Sequence, residues 1–328
     1  MIHATPPAAR RRPAAAAAIA ACALVSASCA AGSTAGSASI HPAHPTTTTT
    51  TTAPEQVGWT TLSRDAQGIA IDTRTLTEPD GTVMTVVRFL AGHVTYDLHM
   101  GSHDPPTGSA VIGPDSGPAI SAIEQPTVLA CFNGGFKLRD HPGGIVTSGQ
   151  AISPVVSGYA GLVIDAAGNG TVGVWGQGVP VPGDPAVNVR QNLPPLIDQG
   201  TVSPTVNNPA DWGYPLGNNP RVPRSALGED AAGNLIYVAG MAALPTDLAN
   251  ALTTVGAVTA MQLDINPYTI QMDSASAPGG PLVAQVPGQQ RPADQCQVGW
   301  TRDFVVVLAK APAAPAAPAA PAVPPSRG

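Results

Sequence analysis

Short runs rich in β-branched and aromatic residues set the terms on which this chain can fold: Val83–Phe89, His93–His99, Val128–Asn133, Gly161–Asp165, Thr171–Trp175, Leu235–Ala239, Ala260–Ile265 and Asp303–Leu308. Val, Thr, Tyr and Phe suit a pleated, half-buried surface. Most of the runs are bounded by Gly, Asn, Asp or Pro, which turn the chain. Two turns repeat the same five residues, Asp165-Ala166-Ala167-Gly168-Asn169 and Asp230-Ala231-Ala232-Gly233-Asn234, each just before a strand, so two similar hairpins are expected. Helical spacing is scarce. Thr246 is placed to cap Asp247–Thr253, with Leu248, Leu252 and Val255 on one face and Gly256 as the stop, and Ala119–Glu124 is a second short candidate. The expected fold class is α+β, a single domain of mainly antiparallel β-sheet with a few flanking helices rather than repeated βαβ units.

The ends of the chain read differently. Arg10, Arg11 and Arg12 precede an apolar run from Ala14 to Val25 and then small residues, the pattern of an export signal over residues 1–30. The run is shorter than the ~20 residues that a membrane-spanning helix needs. Cys22 lies deep in that run, whereas Cys29 lies at its end before a Gly/Ser/Ala stretch and is the lipidation candidate. Ordinary cleavage after Ala27 or Ala30 is the alternative. Residues 31–55, with threonine from Thr46 to Thr52, bury too little apolar surface to offset the entropy of ordering and read as a disordered spacer. Residues 311–328, with Pro312, Pro315, Pro318 and Pro321, read as an extended, disordered Ala/Pro-rich tail. The folded part is then residues 56–310. Its expected location is secreted, or the outer face of the cell membrane, with membrane contact only through a lipid anchor.

The formal net charge is −6, and three of the 15 basic residues stand together in the leader. A nucleic-acid partner, which calls for clustered Lys and Arg on phosphates, is therefore not expected. Cys131 and Cys296 are the cysteines of the folded part. In an oxidising compartment a disulfide between them is one reading, and two buried free thiols are the other. A bridge would contribute about 4–5 kcal/mol at most on the chain-entropy model. There is no CxxC, HExxH or GxSxG. The GxGxxG match at Gly168–Gly173 leads into Val174-Trp175-Gly176, a strand and turn rather than a helix, so it is a hairpin glycine cluster. All seven histidines lie at or before His141. His93, His99 and His103 read as surface or loop residues, because their spacing does not put three rings on one side of a strand and no acidic partner is fixed nearby. No metal and no cofactor is expected.

The segment that stands out is Ala130-Cys131-Phe132-Asn133-Gly134-Gly135-Phe136-Lys137. A β run ends in Asn-Gly-Gly, where the backbone can turn sharply and present consecutive amides to an anion. One of the chain's two lysines follows. A plain hairpin turn with a solvated lysine is the other reading of these residues.

This segment resembles the core motif of the phosphodiester glycosidase family. Further matches follow in order: His141-Pro142-Gly143-Gly144-Ile145-Val146 with Ser148-Gly149-Gln150, then Arg224 ahead of Gly228-Glu229-Asp230, then Leu248 through Gly256 leading to Ala260-Met261-Gln262-Leu263-Asp264. They extend over roughly Val83 to Leu308. The resemblance implies a hydrolase that cleaves the bond between a sugar anomeric carbon and a phosphodiester. The family commonly has a glycine run after the aspartate. Here Ile265-Asn266-Pro267-Tyr268 stand instead, which removes or redirects backbone donors and offers the Asn266 amide in their place.

Residue chemistry suggests the roles. Breaking an anomeric C–O bond passes through an oxocarbenium-like state that a carboxylate stabilises or attacks, and Asp264 is the expected carboxylate. A phosphate monoester leaves readily, so a cation on phosphate can replace strong general-acid help. Arg224 is the expected grip on two phosphate oxygens. Lys137 and the Gly134 and Gly135 amides would complete the anion site, and Asn133 would orient substrate hydroxyls. Arg88, at the end of a β run, is a further substrate-binding candidate. Structural alternatives are an ion pair of Arg224 with Glu229 or Asp230, and a turn-capping role for Asp264. The expected partner is a carbohydrate phosphodiester or envelope glycan. The alternative function is a non-catalytic cell-envelope module that binds glycan or anionic polymer on the same fold.

Overall fold

A computed structural model of the protein describes residues 58–105, 116–180, 186–213 and 219–312. Residues 1–57, with the expected export signal, Cys29 and the whole of the expected spacer 31–55, and residues 313–328 of the expected tail lie outside the described residues.

The described chain forms three sheets. The first has eight strands in the order β1 (Thr60–Asp65), β2 (Gly68–Thr77), β3 (Val83–Phe89), β14 (Leu235–Ala243), β13 (Val222–Asp230), β15 (Ala257–Gln262), β11 (Ile197–Asp198) and β12 (Thr201–Val202). The second runs β7 (Gln150–Ser153), β6 (Ile145–Thr147), β10 (Asn188–Gln191), β8 (Ala160–Ile164) and β9 (Gly170–Val174). The third runs β17 (Val283–Ala284), β16 (Met272–Ser274), β5 (Val128–Asn133), β18 (Phe304–Ala309) and β4 (Val94–His99). Their ladders are antiparallel. Two helices are described, α1 (Pro245–Thr254) and the short α2 (Gln295–Val298), so helix content is low for an α+β fold.

Alternation along the strands explains the layering. In β3, Val87 and Phe89 enter the main core with Phe132, Tyr237 and Leu263, while Met84 and Val86 face a second core against Leu248 and Leu252 of α1. The strand is buried on both faces, which accounts for its nearly unbroken apolar run.

Several boundaries differ from the sequence reading. The helix begins at Pro245, not after Thr246. Proline fits the first helical position because its missing N–H has no intrahelical partner there. The Leu244 amide donates to Asp247 Oδ2 at 2.8 Å, so Asp247 closes the end that Thr246 was expected to cap. Ala119–Glu124 is not helical; the chain only tightens to a 3-10 turn at Gln125–Thr127. Strand β15 stops at Gln262, before the expected Ile265.

The two repeated turns form matching hairpins. In each, the first Asp accepts through Oδ1 from the amides two and four residues on, at 2.8–2.9 Å. Gly168 and Gly233 both sit at φ +79°.

Cys131 and Cys296 are joined in a disulfide, which decides between the two readings of those cysteines. Opposite Cys131 in the ladder stands Asp273, fully buried, accepting from Gln289 Nε2 at 2.8 Å and from Gln271 Nε2. Burial pushes its carboxyl up from 3.8 to about 7. The folded form therefore holds its proton more tightly than the unfolded form, and stability falls as pH rises from about 4 towards 7. Asp273→Asn is expected to stabilise the protein by roughly 2–4 kcal/mol at pH 8 and by little at pH 4. Denaturant unfolding of both proteins at the two pH values measures this; an equal effect at both would refute it. The buried Gln271 Oε1, which has no partner, can accept from the new amide.

Among the described residues, no helix is long and apolar enough to cross a membrane.

Candidate active site

One cavity of about 400 Å³ collects side chains from distant parts of the sequence. Phe136, Lys137, Arg139 and Asp140 come from the chain after β5, and Asp264, Ile265 and Asn266 from the chain after β15. Arg302 comes from just ahead of β18, and Leu193, Asp211 and Gly213 complete much of the wall.

Asp264 is held rigidly. Leu263 N donates to Ser225 O at 2.8 Å, and Ser225 N donates to Asp264 O at 3.1 Å, so the ladder grips the backbone past the end of β15. Asn192 Nδ2 donates to the carbonyls of Gln262 and Leu263 at 2.8 and 2.9 Å. The carboxylate accepts from Ile265 N at 2.7 Å and from Thr269 Oγ1 at 2.8 Å, and Arg302 Nη1 lies 3.3 Å away. Burial raises its pKa above 3.8; the Arg302 charge and the two hydrogen bonds pull the other way without cancelling the rise. The turn that follows is closed by Tyr268 N donating to Asn266 Oδ1 at 2.9 Å and Thr269 N to Asn266 O at 2.9 Å. Asn266 and Pro267 therefore supply by Asx-turn chemistry the bend that glycines would make.

Beneath the cavity lies a buried ion pair. Arg190 Nε donates to Asp303 Oδ2 at 2.6 Å, and both side chains are 2% exposed. Arg190 also donates to the carbonyls of Gln191 at 2.7 Å and Phe136 at 2.5 Å. Asp303 accepts from Gly135 N at 3.3 Å through its carboxylate and from Gly134 N at 3.0 Å through its carbonyl. Arg302 Nη2 donates to Gly135 O at 2.7 Å. The consecutive Arg302 and Asp303 thus clamp the Asn-Gly-Gly turn, one through its carbonyl and the other through its amides.

This geometry revises several expected roles. The Gly134 and Gly135 amides point to Asp303 and do not cradle a ligand. Glycine is required there for close approach: a Cβ on Gly134 would lie 1.9 Å from Asp303 Oδ2, and one on Gly135 2.9 Å from Asn192 Oδ1. Asn133 is 1% exposed and internally engaged. It donates to Gly134 O and Ser225 Oγ, and accepts from Tyr237 Oη and Gln271 N. Arg224 is fully buried and absent from the cavity wall. It donates to the carbonyls of Ala243 (3.1 Å) and Trp212 (2.8 Å) and to Gln262 Oε1 (3.0 Å), and burial pulls its pKa down to about 10. It pairs with neither Glu229 nor Asp230; it ties the segment at Trp212 to Gln262, the last residue of β15, two residues before Asp264. Arg88 also lies away from the cavity, bonded to Asp72 at 2.6 Å and stacked over Trp59 at 4.1 Å. Of the expected side chains, Asp264, Lys137 and Asn266 reach the cavity.

Arg302, Asp303, Arg190, Asn192 and Arg139 were not singled out from the sequence. A signal existed for two of them: Arg302 and Asp303 stand directly before the apolar run Phe304–Ala309 in a chain that is only 11% charged, and a charge in such a place needs a partner.

No family model matches the chain, and no curated protein matches it. Among solved structures, the catalytic domain of zebrafish N-acetylglucosamine-1-phosphodiester alpha-N-acetylglucosaminidase, auto-inhibited by its pro-peptide, is similar at 14% identity, with 77% of this chain and 88% of that one covered and a TM-score of 0.47. A hypothetical protein from Synechocystis is similar at 16% identity, with 73% of this chain and 62% of that one covered and a TM-score of 0.41. A protein from Burkholderia pseudomallei K96243 is similar at 12% identity, with 69% of this chain and 74% of that one covered and a TM-score of 0.37. The likeness concerns fold alone.

Proposed function

We propose that the cavity binds a sugar phosphodiester and hydrolyses the bond between the anomeric carbon and the bridging oxygen. The observation that supports this reading is the meeting of a rigid, buried carboxylate, Asp264, with the cations Lys137 and Arg139 in one cavity. The motif resemblance points to the same substrate class. Asp264 faces the developing positive charge at the anomeric carbon. Arg302 orients Asp264 and keeps part of its charge. Lys137 and Arg139 take the phosphate, whose bridging oxygen leaves with the bonding pair while water supplies the new C–O bond. Asn266 offers its amide to sugar hydroxyls. The leader pattern and the disulfide favour an extracytoplasmic place of work.

The opposing reading, a glycan- or anion-binding module without turnover, draws on one fact: both Asp264 oxygens already accept hydrogen bonds from the protein. Assay of the purified protein on sugar-1-phosphodiesters separates the two. Turnover is expected, and the double variant Lys137→Ala/Arg139→Ala is expected to raise KM at least about tenfold, with kcat less affected. Binding of a sugar 1-phosphate with no turnover of any phosphodiester would select the binding module. An unchanged KM in the double variant would remove both residues from the phosphate site.

A further inference from the structure

A second cluster of charge lies among residues that do not line the Asp264 cavity. His99, at the end of β4, is fully buried and stacks on Phe304 with ring centroids 4.8 Å apart. Its Nδ1 is 3.0 Å from the carbonyl oxygen of Gly117. Its Nε2 is 3.0 Å from Glu124 Oε1 and 4.0 Å from Asp97 Oδ2. Both carboxylates are themselves held. Glu124 Oε2 accepts from Ser121 N at 2.9 Å, and Asp97 accepts from Leu98 N at 2.7 Å, Asn188 Nδ2 at 3.0 Å and Ser116 Oγ at 3.2 Å. No lysine or arginine ion pair to either carboxylate is found among the described residues. Both ring nitrogens of His99 thus face only oxygen acceptors, so a cation must lie between Nε2 and the carboxylates. It is either a proton or a metal ion.

We propose that it is a divalent transition-metal ion of the zinc class, bound by His99 Nε2, Glu124 Oε1 and Asp97 Oδ2. Donation of Nδ1–H to the Gly117 carbonyl fixes the tautomer whose Nε2 lone pair faces the carboxylates, the outer arrangement that orients metal-binding histidines. Tetrahedral bonds of about 2.0–2.2 Å place ligand atoms about 3.3–3.5 Å apart. The distances of 3.0 and 4.0 Å bracket that spacing, and the three atoms lie within 4.8 Å of one another. Two carboxylates balance the ion's charge, and water fills the fourth position. Calcium, which takes six to eight oxygens, is poorly served by three ligands of which one is nitrogen.

The sequence reading placed His99 on the surface without a fixed acidic neighbour, and the structure corrects both points. Asp97 and His99, two residues apart on one strand, share a face, and the turn at Ser121–Glu124 brings in the second carboxylate. His93 and His103 are elsewhere, the first with Asp65 at 3.0 Å and the second with Ser102 at 2.8 Å.

The test uses the full chain, produced without a histidine tag, stripped with chelator and titrated with Zn²⁺, Co²⁺ and Mg²⁺. One equivalent of zinc is expected to bind and raise Tm, Co²⁺ to show the visible absorption of a four-coordinate site, and Mg²⁺ to do neither. Glu124→Gln and Asp97→Asn are each expected to weaken zinc binding at least about tenfold, and His99→Gln to abolish it. His141→Ala, at an exposed histidine, should leave it unchanged. Should His99→Gln fail to fold, the Asp97→Asn result decides, because that side chain is 23% exposed. Wild-type protein that binds no zinc equivalent, or Glu124→Gln and Asp97→Asn proteins that bind as tightly as wild type, would overturn the proposal and leave the proton as the cation.

Discussion

Asp303→Asn is expected to destabilise the protein by about 3–5 kcal/mol, the cost of leaving one member of a buried pair uncompensated. Arg190 and Asp303 are each 2% exposed, and no other carboxylate pairs with Arg190 among the described residues. Asparagine can still accept one hydrogen bond, but it cannot supply the charge that makes a buried guanidinium tolerable. The effect extends beyond the pair, because Asp303 also receives Gly135 N and Arg190 holds Phe136 O. Gly134→Ala should act on the same structure, since its Cβ would meet the Asp303 carboxyl at 1.9 Å. Equilibrium unfolding in denaturant measures both. A loss below about 1 kcal/mol in Asp303→Asn would mean that the pair is not what holds the turn.

Asp264→Asn is expected to lower kcat by at least about 10³-fold, roughly 4 kcal/mol of transition-state stabilisation, with the fold and phosphate binding little changed. Asparagine keeps the size of the side chain and can accept from Ile265 N or Thr269 Oγ1, and Arg302, unlike Arg190, keeps a second carboxylate, Asp104, 3.6 Å away, so the change removes chiefly the charge at the cavity. The raised pKa adds a second signature. If the ionised form is required, activity is lost as pH falls through that raised value, and the acid limb of kcat should lie above the ordinary aspartate value of 3.8. Retention of more than a tenth of wild-type activity would transfer the role to Asp140, which also lines the cavity. Asp230, another aspartate of the motif region, is committed to its hairpin, accepting from Ala232 N and Asn234 N.

Local chemistry was legible wherever one segment decides its own structure. The repeated Asp-Ala-Ala-Gly-Asn turns could be read because the capping Asp, the Asn and the positive-φ glycine act within five residues. Val83–Phe89 could be read because burial on both faces leaves a nearly continuous apolar run, interrupted only by Thr85 and Arg88. The site was legible only in part because side-chain direction depends on tertiary packing. Asp264 follows a strand whose register places it at a cavity. Arg224 and Asn133 have the chemistry of ligand-binding residues, yet each is consumed by carbonyls and amides that arrive from remote strands. Arg302 was missed for the complementary reason: nothing near residue 302 in the sequence shows that Gly135 and Asp264 will lie beside it.

Hydrolysis of a sugar-1-phosphodiester in H₂¹⁸O, with both products examined by mass spectrometry, tests directly whether the Asp264 cavity performs attack at the anomeric carbon. The label is expected in the released sugar, on the anomeric hydroxyl, with unlabelled phosphomonoester, and Asp264→Asn should suppress formation of both. Label in the phosphomonoester would place the attack at phosphorus and contradict a glycosidase mechanism.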